Sequence, residues 1–375
     1  MKIDIGSRKM NMRTVASYTG GRLVGSGERA FRFAATDSRE ADADTMFVAL
    51  RGERTDGNSY IGAMPGVSCF LAERLPDNFD AQNSYAVVVP DTGNALLTLG
   101  EMYRRQLKDL RVYGVTGSVG KTTEKEMLSA VLAEKYKSLY KTDGNHNSII
   151  GLPMTLLSLS EKNDAAVLEM GMSARGEISA LSRAACPDIA VITNIGSSHL
   201  ESLGTRENIA RAKLEVLDGM RPGGQLLFDG DEPLLRAGAA HVRQDITLRP
   251  VSLTDKAADF FVSGIRAAAD GTVFDLRLPD GSVWHDLRIP APGRHLLLDA
   301  AYAAGVGYLS GVSREEAARG LADYRPAAMR QTLRRAGGVT VLEDCYNAAP
   351  ESVQAALDTL PLLTQSGGRR MALLG

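Results

Sequence analysis

The sequence predicts an α/β protein whose middle part is a parallel, doubly wound sheet. Two observations lead there. Val112–Thr116, Ala165–Glu169 and Ile189–Asn194 are short strand-like runs, each followed by a loop and a helical pattern. All three end in a polar residue (Thr116, Glu169, Asn194), and ligands of open α/β sheets sit outside the carboxyl ends of the strands.

In chain order, the first stretch, to about Leu97, mixes short apolar runs (Met46–Leu50, Cys69–Ala72, Tyr85–Val89) with turn clusters such as Thr55–Asn58, as a small α/β domain would. The regular alternation starts at Arg111. Between Ile246 and Ile289 the pattern becomes alternating strands with turns at Asp270-Gly271 and Asp280-Gly281, which predicts an antiparallel annex. Helical periodicity returns at His295. Arg325-Pro326 reads as a hinge into a third unit with a strand at Val339–Glu343, a helix over about Glu351–Leu362 and a strand at Met371–Leu374. That β-α-β piece is too small to bury a core alone, so the chain is expected to stop inside a domain.

The 375 residues suit two or three domains of roughly 150 residues each. With 44% apolar and 23% charged residues the composition is that of a soluble globular chain. A net charge of -2 leaves no global basic field to gather nucleic acid, so any anion site is local. Cys69, Cys186 and Cys345 are odd in number and far apart, which fits neither a disulfide framework nor a zinc ribbon. Lys2, Arg8, Lys9 and Arg13 are followed by no apolar stretch, so no secretory signal is read. A cytoplasmic protein without membrane insertion is expected.

The strongest local signal is Gly114-Val-Thr-Gly117-Ser-Val-Gly120-Lys121-Thr122-Thr123, between a strand and a helix. Its glycines let backbone N–H groups turn toward phosphate oxygens, with the positive end of the next helix behind them. Lys121 would reach the outer phosphates and the Thr122 hydroxyl a Mg²⁺ ion. One departure is Val115, where the common spacing has glycine. Met127, Leu128, Val131 and Leu132 give the following helix a core face.

Glu169 closes an apolar strand opposite this loop. It is either a solvated strand end or an oxygen ligand for Mg²⁺ beside substrate phosphates. His199 follows Thr193-Asn-Ile-Gly-Ser-Ser at another strand's carboxyl end, with a structural and a functional reading both open. Lys213 is sharper. Turning about 100° per residue from Ile209, the apolar Ile209, Ala212, Val216, Leu217 and Met220 fall between about 300° and 80°, and Lys213 falls near 40°. Either its stem snorkels to water, or it is buried and its pKa lowered, leaving neutral amine able to take up CO₂ as a carbamate.

Several motifs, in order and spacing, resemble the Mur ligases: Gly117-Ser-Val-Gly-Lys-Thr-Thr, Gly144-Asn-His-Asn with Gly151-Leu-Pro, Leu168-Glu-Met-Gly-Met, Thr193-Asn-Ile-Gly-Ser-Ser-His-Leu-Glu, Asn208-Ile-Ala-Arg-Ala-Lys213-Leu-Glu and Asp344-Cys-Tyr-Asn-Ala. Thr36-Asp-Ser-Arg39 and Phe47-Val-Ala-Leu-Arg-Gly-Glu-Arg-Thr-Asp-Gly57 extend the likeness to the front domain. The resemblance covers about Met12 to Gly375 and implies a three-domain α/β architecture. Residues 1–97 would bind a UDP-sugar, 98–325 would form a central P-loop ATPase domain, and 326–375 an incomplete Rossmann-like third domain.

The activity implied is ATP-dependent, ADP-forming amide formation between UDP-N-acetylmuramoyl-tripeptide and D-alanyl-D-alanine, by a monomer using ATP and two Mg²⁺ sites. The alternatives are addition of the third, diamino acid residue to the dipeptide precursor, or a non-catalytic nucleotide-binding form. By resemblance, ATP would meet Gly117, Ser118, Val119, Gly120, Lys121, Thr122, Thr123, His295, Asp299, Arg330 and Asp344. One Mg²⁺ would sit on Thr122 and Glu169, and the second would be served by His199 and a carbamylated Lys213. Lys121, Glu169, His199 and Lys213 form the catalytic set. Ser38 and Arg39 would touch the UDP-sugar, and Asn145 and Asn147 the muramoyl peptide. Departures from the family pattern are Ser148, Ile149, Asp299, Glu343 and Cys345.

Overall fold

The computed structural model describes residues 1–6, 10–239, 243–293, 295–364 and 368–374. Arg8, Lys9 and Gly375, used above to read the two termini, lie outside them. The chain forms two compact units: Met1–Leu110 with Thr142–Asp164 and Arg183–Cys186, and Arg111–Lys141 with Ala165–Ser182 and Pro187–Gly375.

The first unit carries a six-stranded sheet in the order Lys2–Asp4, Phe33–Ala35, Thr45–Val48, Cys69–Ala72, Tyr85–Val88, Arg22–Val24. Its inner strands pair in parallel and its two edges antiparallel. Thr45–Val48 and Cys69–Ala72 are buried at every position, which is why they read as unbroken apolar runs. The helix Thr92–Gln106 buries Arg104 completely, and the guanidinium is compensated by the carbonyls of Ala185, Leu107 and Leu110 at 3.1, 2.8 and 3.1 Å.

The second unit holds a nine-stranded sheet ordered Leu139–Lys141, Ala165–Glu169, Arg111–Thr116, Ile189–Ile192, Gln225–Asp229, Thr247–Ser252, Phe260–Ala268, Gly271–Arg277, Val283–Ile289. The antiparallel annex is shorter than the sequence predicts. Thr247–Ser252 pairs in parallel with Gln225–Asp229 and, through Val251 and Ser252 alone, with Phe260–Ala268. Only the last three strands form an antiparallel meander.

The helices Lys121–Ala133, Leu296–Leu309 and Arg314–Ala322 cover this sheet's core. Glycine sets how closely they approach: a Cβ on Gly320 would lie 2.6 Å from the Val131 Cα, and one on Gly307 2.7 Å from Val131 Cγ1. Ser313 and Glu316 close a capping box on the last helix.

Residues 326–374 fall within the second unit. Thr332–Ala336 and Val339–Glu343 form an antiparallel pair, and the predicted helix spans Pro350–Leu363. The strand expected at Met371–Leu374 is absent: the segment has no ladder partner among the described residues, and Met371, Leu373 and Leu374 are 77%, 92% and 74% exposed.

Candidate active site

The strand Arg111–Thr116 is buried from Val112 onward, and Val115, paired in register with Glu169 on one side and Val191 on the other, belongs to the strand and not to the turn after it. The turn proper is Gly117–Gly120. Gly117 (φ 149°) and Gly120 (φ 85°) take conformations that favour glycine, and a Cβ on Gly117 would lie 1.9 Å from Thr193 Oγ1.

Asn194 and Thr193 shape this loop. The Asn194 carbonyl accepts from Ser118 N at 3.1 Å and its Oδ1 from Val119 N at 3.0 Å, while its Nδ2 donates to the Val119 carbonyl at 2.9 Å. Thr193 Oγ1 donates to the same carbonyl at 2.6 Å. The loop is therefore set before any ligand arrives. Lys121 curls over it, its ammonium donating to the carbonyls of Gly117 and Ser118 at 2.8 and 3.2 Å. Burial lowers the Lys121 pKa, Glu169 opposes that, and Arg330 adds to it. Thr123 hydrogen-bonds Tyr324.

Thr122 Oγ1 donates to Glu169 Oε2 at 3.0 Å, and both residues are buried. A hydroxyl and a carboxylate in contact at the edge of a phosphate loop are the hard oxygen donors that Mg²⁺ takes alongside phosphates. Among the described residues no three His, Cys, Asp or Glu side chains converge on a metal-sized site.

His199 stands in the left-handed region (φ 71°) just before the helical turn Leu200–Leu203. Burial lowers its pKa, and Lys213 and Lys121 lower it further. Lys213, on the helix Arg206–Leu214, is completely buried, and its ammonium nitrogen has no hydrogen-bond partner. Burial drives its pKa well below the ordinary lysine value and Lys121 pushes the same way, against Glu215 and Glu177. Snorkelling is thus excluded. Lys121, His199 and Lys213 act on one another electrostatically, an arrangement that favours an anion.

From the C-terminal part, the Arg330 guanidinium lies 4.1 Å from the Tyr346 ring centroid. His295 Nε2 and Gln331 Oε1 are 2.8 Å apart, and Gln331 Nε2 donates to Asp344 Oδ2 at 3.3 Å. Asp299 lies beside Gly120, whose Cβ would be 3.4 Å from its Oδ1. Asp299 also acts electrostatically on Glu124, in the first turn of the phosphate-loop helix; burial raises both pKa values well above the carboxylate range, so both carboxyls favour the neutral, protonated form.

Gln331, Glu124 and the Glu351 contact described below carry no motif in the sequence. Asn194 stands in the sequence as a polar strand end and inside the Thr193-Asn-Ile-Gly-Ser-Ser-His-Leu-Glu motif, with no sign of its grip on the phosphate loop.

The remaining sequence-predicted residues belong to the first unit. Ser38 opens the turn Ser38–Glu40, and Arg39 is held by Asp37, Nε to Oδ1 at 2.9 Å and Nη2 to Oδ2 at 2.5 Å. Asn145 is exposed and Asn147 half-buried, in the turn before the helix Gly151–Ser158. The same unit has a pocket of about 530 Å³ lined by Arg29, Ile61, Val67, Phe70, Phe79 and Asn83 among others; Ser38 and Arg39 are not in its wall.

A glycine turn between a buried parallel strand and a helix, with a lysine and a threonine–carboxylate pair at its mouth, defines a P-loop nucleotide-binding protein. Residues 115–307 match the Mur ligase middle domain. The chain is 38% identical to the UDP-N-acetylmuramoyl-tripeptide--D-alanyl-D-alanine ligase of Bacillus subtilis, over 98% of its own length and 78% of the relative's. It is 33% identical to that of Escherichia coli, over 91% and 73%. Crystal structure I of MurF from Acinetobacter baumannii superposes with a TM-score of 0.85 at 30% identity, covering 95% of this chain and 77% of that one. MurF ligase from Thermotoga maritima in complex with ADP gives 0.77 at 29%, covering 88% and 74%. The chain belongs to the Mur ligase family.

Proposed function

We propose that this protein joins D-alanyl-D-alanine to UDP-N-acetylmuramoyl-tripeptide at the expense of ATP, forming ADP and phosphate. The observation that carries the reading is the buried Thr122–Glu169 contact at the mouth of a loop already shaped for phosphate. Similarity to ligases of that name supports the choice of substrates. Among the described residues no helix is long and apolar enough to cross a membrane.

The tripeptide's terminal carboxylate attacks the γ-phosphorus in line and the bond to the β-phosphate oxygen breaks, giving an acyl phosphate and ADP. The dipeptide amine then attacks the acyl carbon, loses its proton, and the tetrahedral adduct expels phosphate. Backbone amides of Gly117–Gly120 and the Lys121 ammonium would hold the β- and γ-phosphates, and Lys121 would leave the Gly117 and Ser118 carbonyls to do so. Arg330 would add positive charge from the C-terminal part, with His295, Asp299 and Asp344 nearer the nucleoside. Thr122 and Glu169 would hold one Mg²⁺ and His199 with a carbamate on Lys213 a second; when bound, these ions neutralise charge on the transferring phosphoryl group.

The Lys213 environment fits that role, because a buried amine without a partner is held neutral, and the neutral form takes up CO₂. Ser38 and Arg39 would meet the UDP-sugar, and Asn145 and Asn147 the peptide.

Phosphate release measured with UDP-N-acetylmuramoyl-tripeptide, D-alanyl-D-alanine and ATP, against each omitted in turn, tests the reading. Release that requires both peptide substrates supports it. ATP binding without turnover would overturn it. For the carbamate, Lys213→Ala should lose activity and regain part of it with added short-chain carboxylates; an unaffected mutant removes that role.

A further inference from the structure

The loop Ile195–His199 leaves the sheet beside the phosphate loop and is gripped from two directions. Arg206 donates to the Ile195 carbonyl at 2.7 Å, with its own guanidinium anchored on Glu232 at 2.6 Å. From 154 residues further along the chain, Glu351 Oε1 accepts the Ser197 N–H at 2.7 Å. Gly196 lies between: a Cβ there would be 3.0 Å from Glu351 Oε1 and 3.3 Å from Ser118 Cβ. Glu351, the Gly196 backbone and the phosphate-loop residue Ser118 thus form a stack with no slack for a methyl group.

Glu351 is the second residue of the helix Pro350–Leu363, the helix that follows the strand pair and the Asp344–Tyr346 turn. Cys345 N and Tyr346 N both donate to the Met329 carbonyl, at 3.0 and 3.1 Å, next to Arg330. Arg330, Tyr346 and Asp344 therefore move with the segment that Glu351 fastens. Two residues beyond Ser197 stands His199 in its left-handed bend.

We propose that Glu351 is a positioning residue: its carboxylate ties residues 326–363 to the phosphate-loop edge through the Ser197 amide, and so holds Arg330 within reach of Lys121 and His199 at its bend. A glutamate in the first turn of a helix also has a purely local role, complementing the helix dipole. The two roles separate on one substitution. Glutamine keeps an oxygen that accepts the Ser197 N–H but loses the charge, so the tether survives Glu351→Gln and the dipole contribution does not.

The inference rests on the ligase reading for its catalytic half only. Wild-type turnover tests that reading, and amide hydrogen exchange tests the tether without turnover. In the full-length protein, Glu351→Ala should quicken exchange over 195–199 and 326–363. It should lower kcat about tenfold and, because Arg330 and Asp344 belong to the released segment, weaken ATP about threefold, the phosphate loop keeping the rest of the affinity. Glu351→Gln should recover at least half of the lost kcat. Unchanged exchange, unchanged kcat, or Glu351→Gln behaving like Glu351→Ala would each overturn the proposal. Should Glu351→Ala unfold, Gly196→Ala presses on the same stack and is expected to give the same exchange and kcat losses; wild-type behaviour of that variant overturns it equally.

Discussion

Replacing Lys213 with methionine should make the protein more stable and inactive together. The Lys213 nitrogen is completely buried with no hydrogen-bond partner, and an unsatisfied buried polar group costs about 1–3 kcal/mol. Methionine has nearly the same length, removes that group, and leaves an unbranched chain able to fill the same space. A gain of about 2 kcal/mol follows, which for a unit of this size is about 4–8 °C in Tm.

The pH dependence has a definite sign. Above the ordinary lysine value of 10.5 the residue is neutral folded or unfolded; as pH falls, the unfolded lysine takes a proton that the folded one resists, so the wild type loses ground. The Tm gap between Lys213→Met and wild type should widen from pH 10 to pH 8. Scanning calorimetry in carbonate-free buffer at both pH values, beside the phosphate-release assay, measures all of this. A mutant that melts below the wild type, or one that keeps full turnover, would refute the reasoning, because the lysine would then be a stabilising or an idle group.

Three other outcomes follow from the geometry. Gly117→Ala places a methyl 1.9 Å from Thr193 Oγ1 at a φ of 149°, and should cost about 2–4 kcal/mol and abolish ATP binding, read by calorimetric titration and melting. Asn194→Ala frees the Val119 N–H and leaves the Val119 carbonyl to Thr193 alone, and should weaken ATP about tenfold while the fold persists; unchanged affinity would mean the loop needs no such support. Asp229 has its pKa pushed up to about 6, first by burial and then by Asp231 and Glu232, against a hydrogen bond from the Asp231 backbone. Its contribution to stability is present below its ordinary 3.8 and lost as pH rises through about 6. Asp229→Asn should therefore stabilise the fold at pH 7 by about 2 kcal/mol, allowing for partial exposure, and raise Tm there but not at pH 4.

The parallel strands were legible because burial on both faces leaves unbroken apolar runs, and the phosphate loop because glycine conformation and phosphate binding share one spacing. The Lys213 arc could be read from helix periodicity, although the α-helix ends at Leu214 and the rest of the apolar face lies on a tighter turn, Glu215–Gly219. Other features depend on contacts that span long stretches of chain. Glu124 acquires its meaning from Asp299, and Glu351 from Ser197, pairings that no local pattern encodes. The strand direction of Thr247–Ser252 failed for a related reason: turn residues announce a reversal, but a parallel neighbour is chosen by the sheet.

The orphaned groups have a pattern of their own. Among the described residues of the second unit, buried side-chain atoms without a partner fall on Ser118, Glu124 and Lys213: one in the phosphate loop, one in the first turn of the helix after it, and one acting electrostatically on His199 and acted on by Lys121. A core selected for stability alone would not gather its unsatisfied atoms on one sheet edge, since each weakens the fold by about 1–3 kcal/mol. They make sense as sites held ready, where a ligand supplies the missing partners and offsets the deficit when it binds. The same edge receives the contact from Glu351, so the edge on which the described residues of this unit leave their unsatisfied atoms is also the one to which the C-terminal segment is fastened.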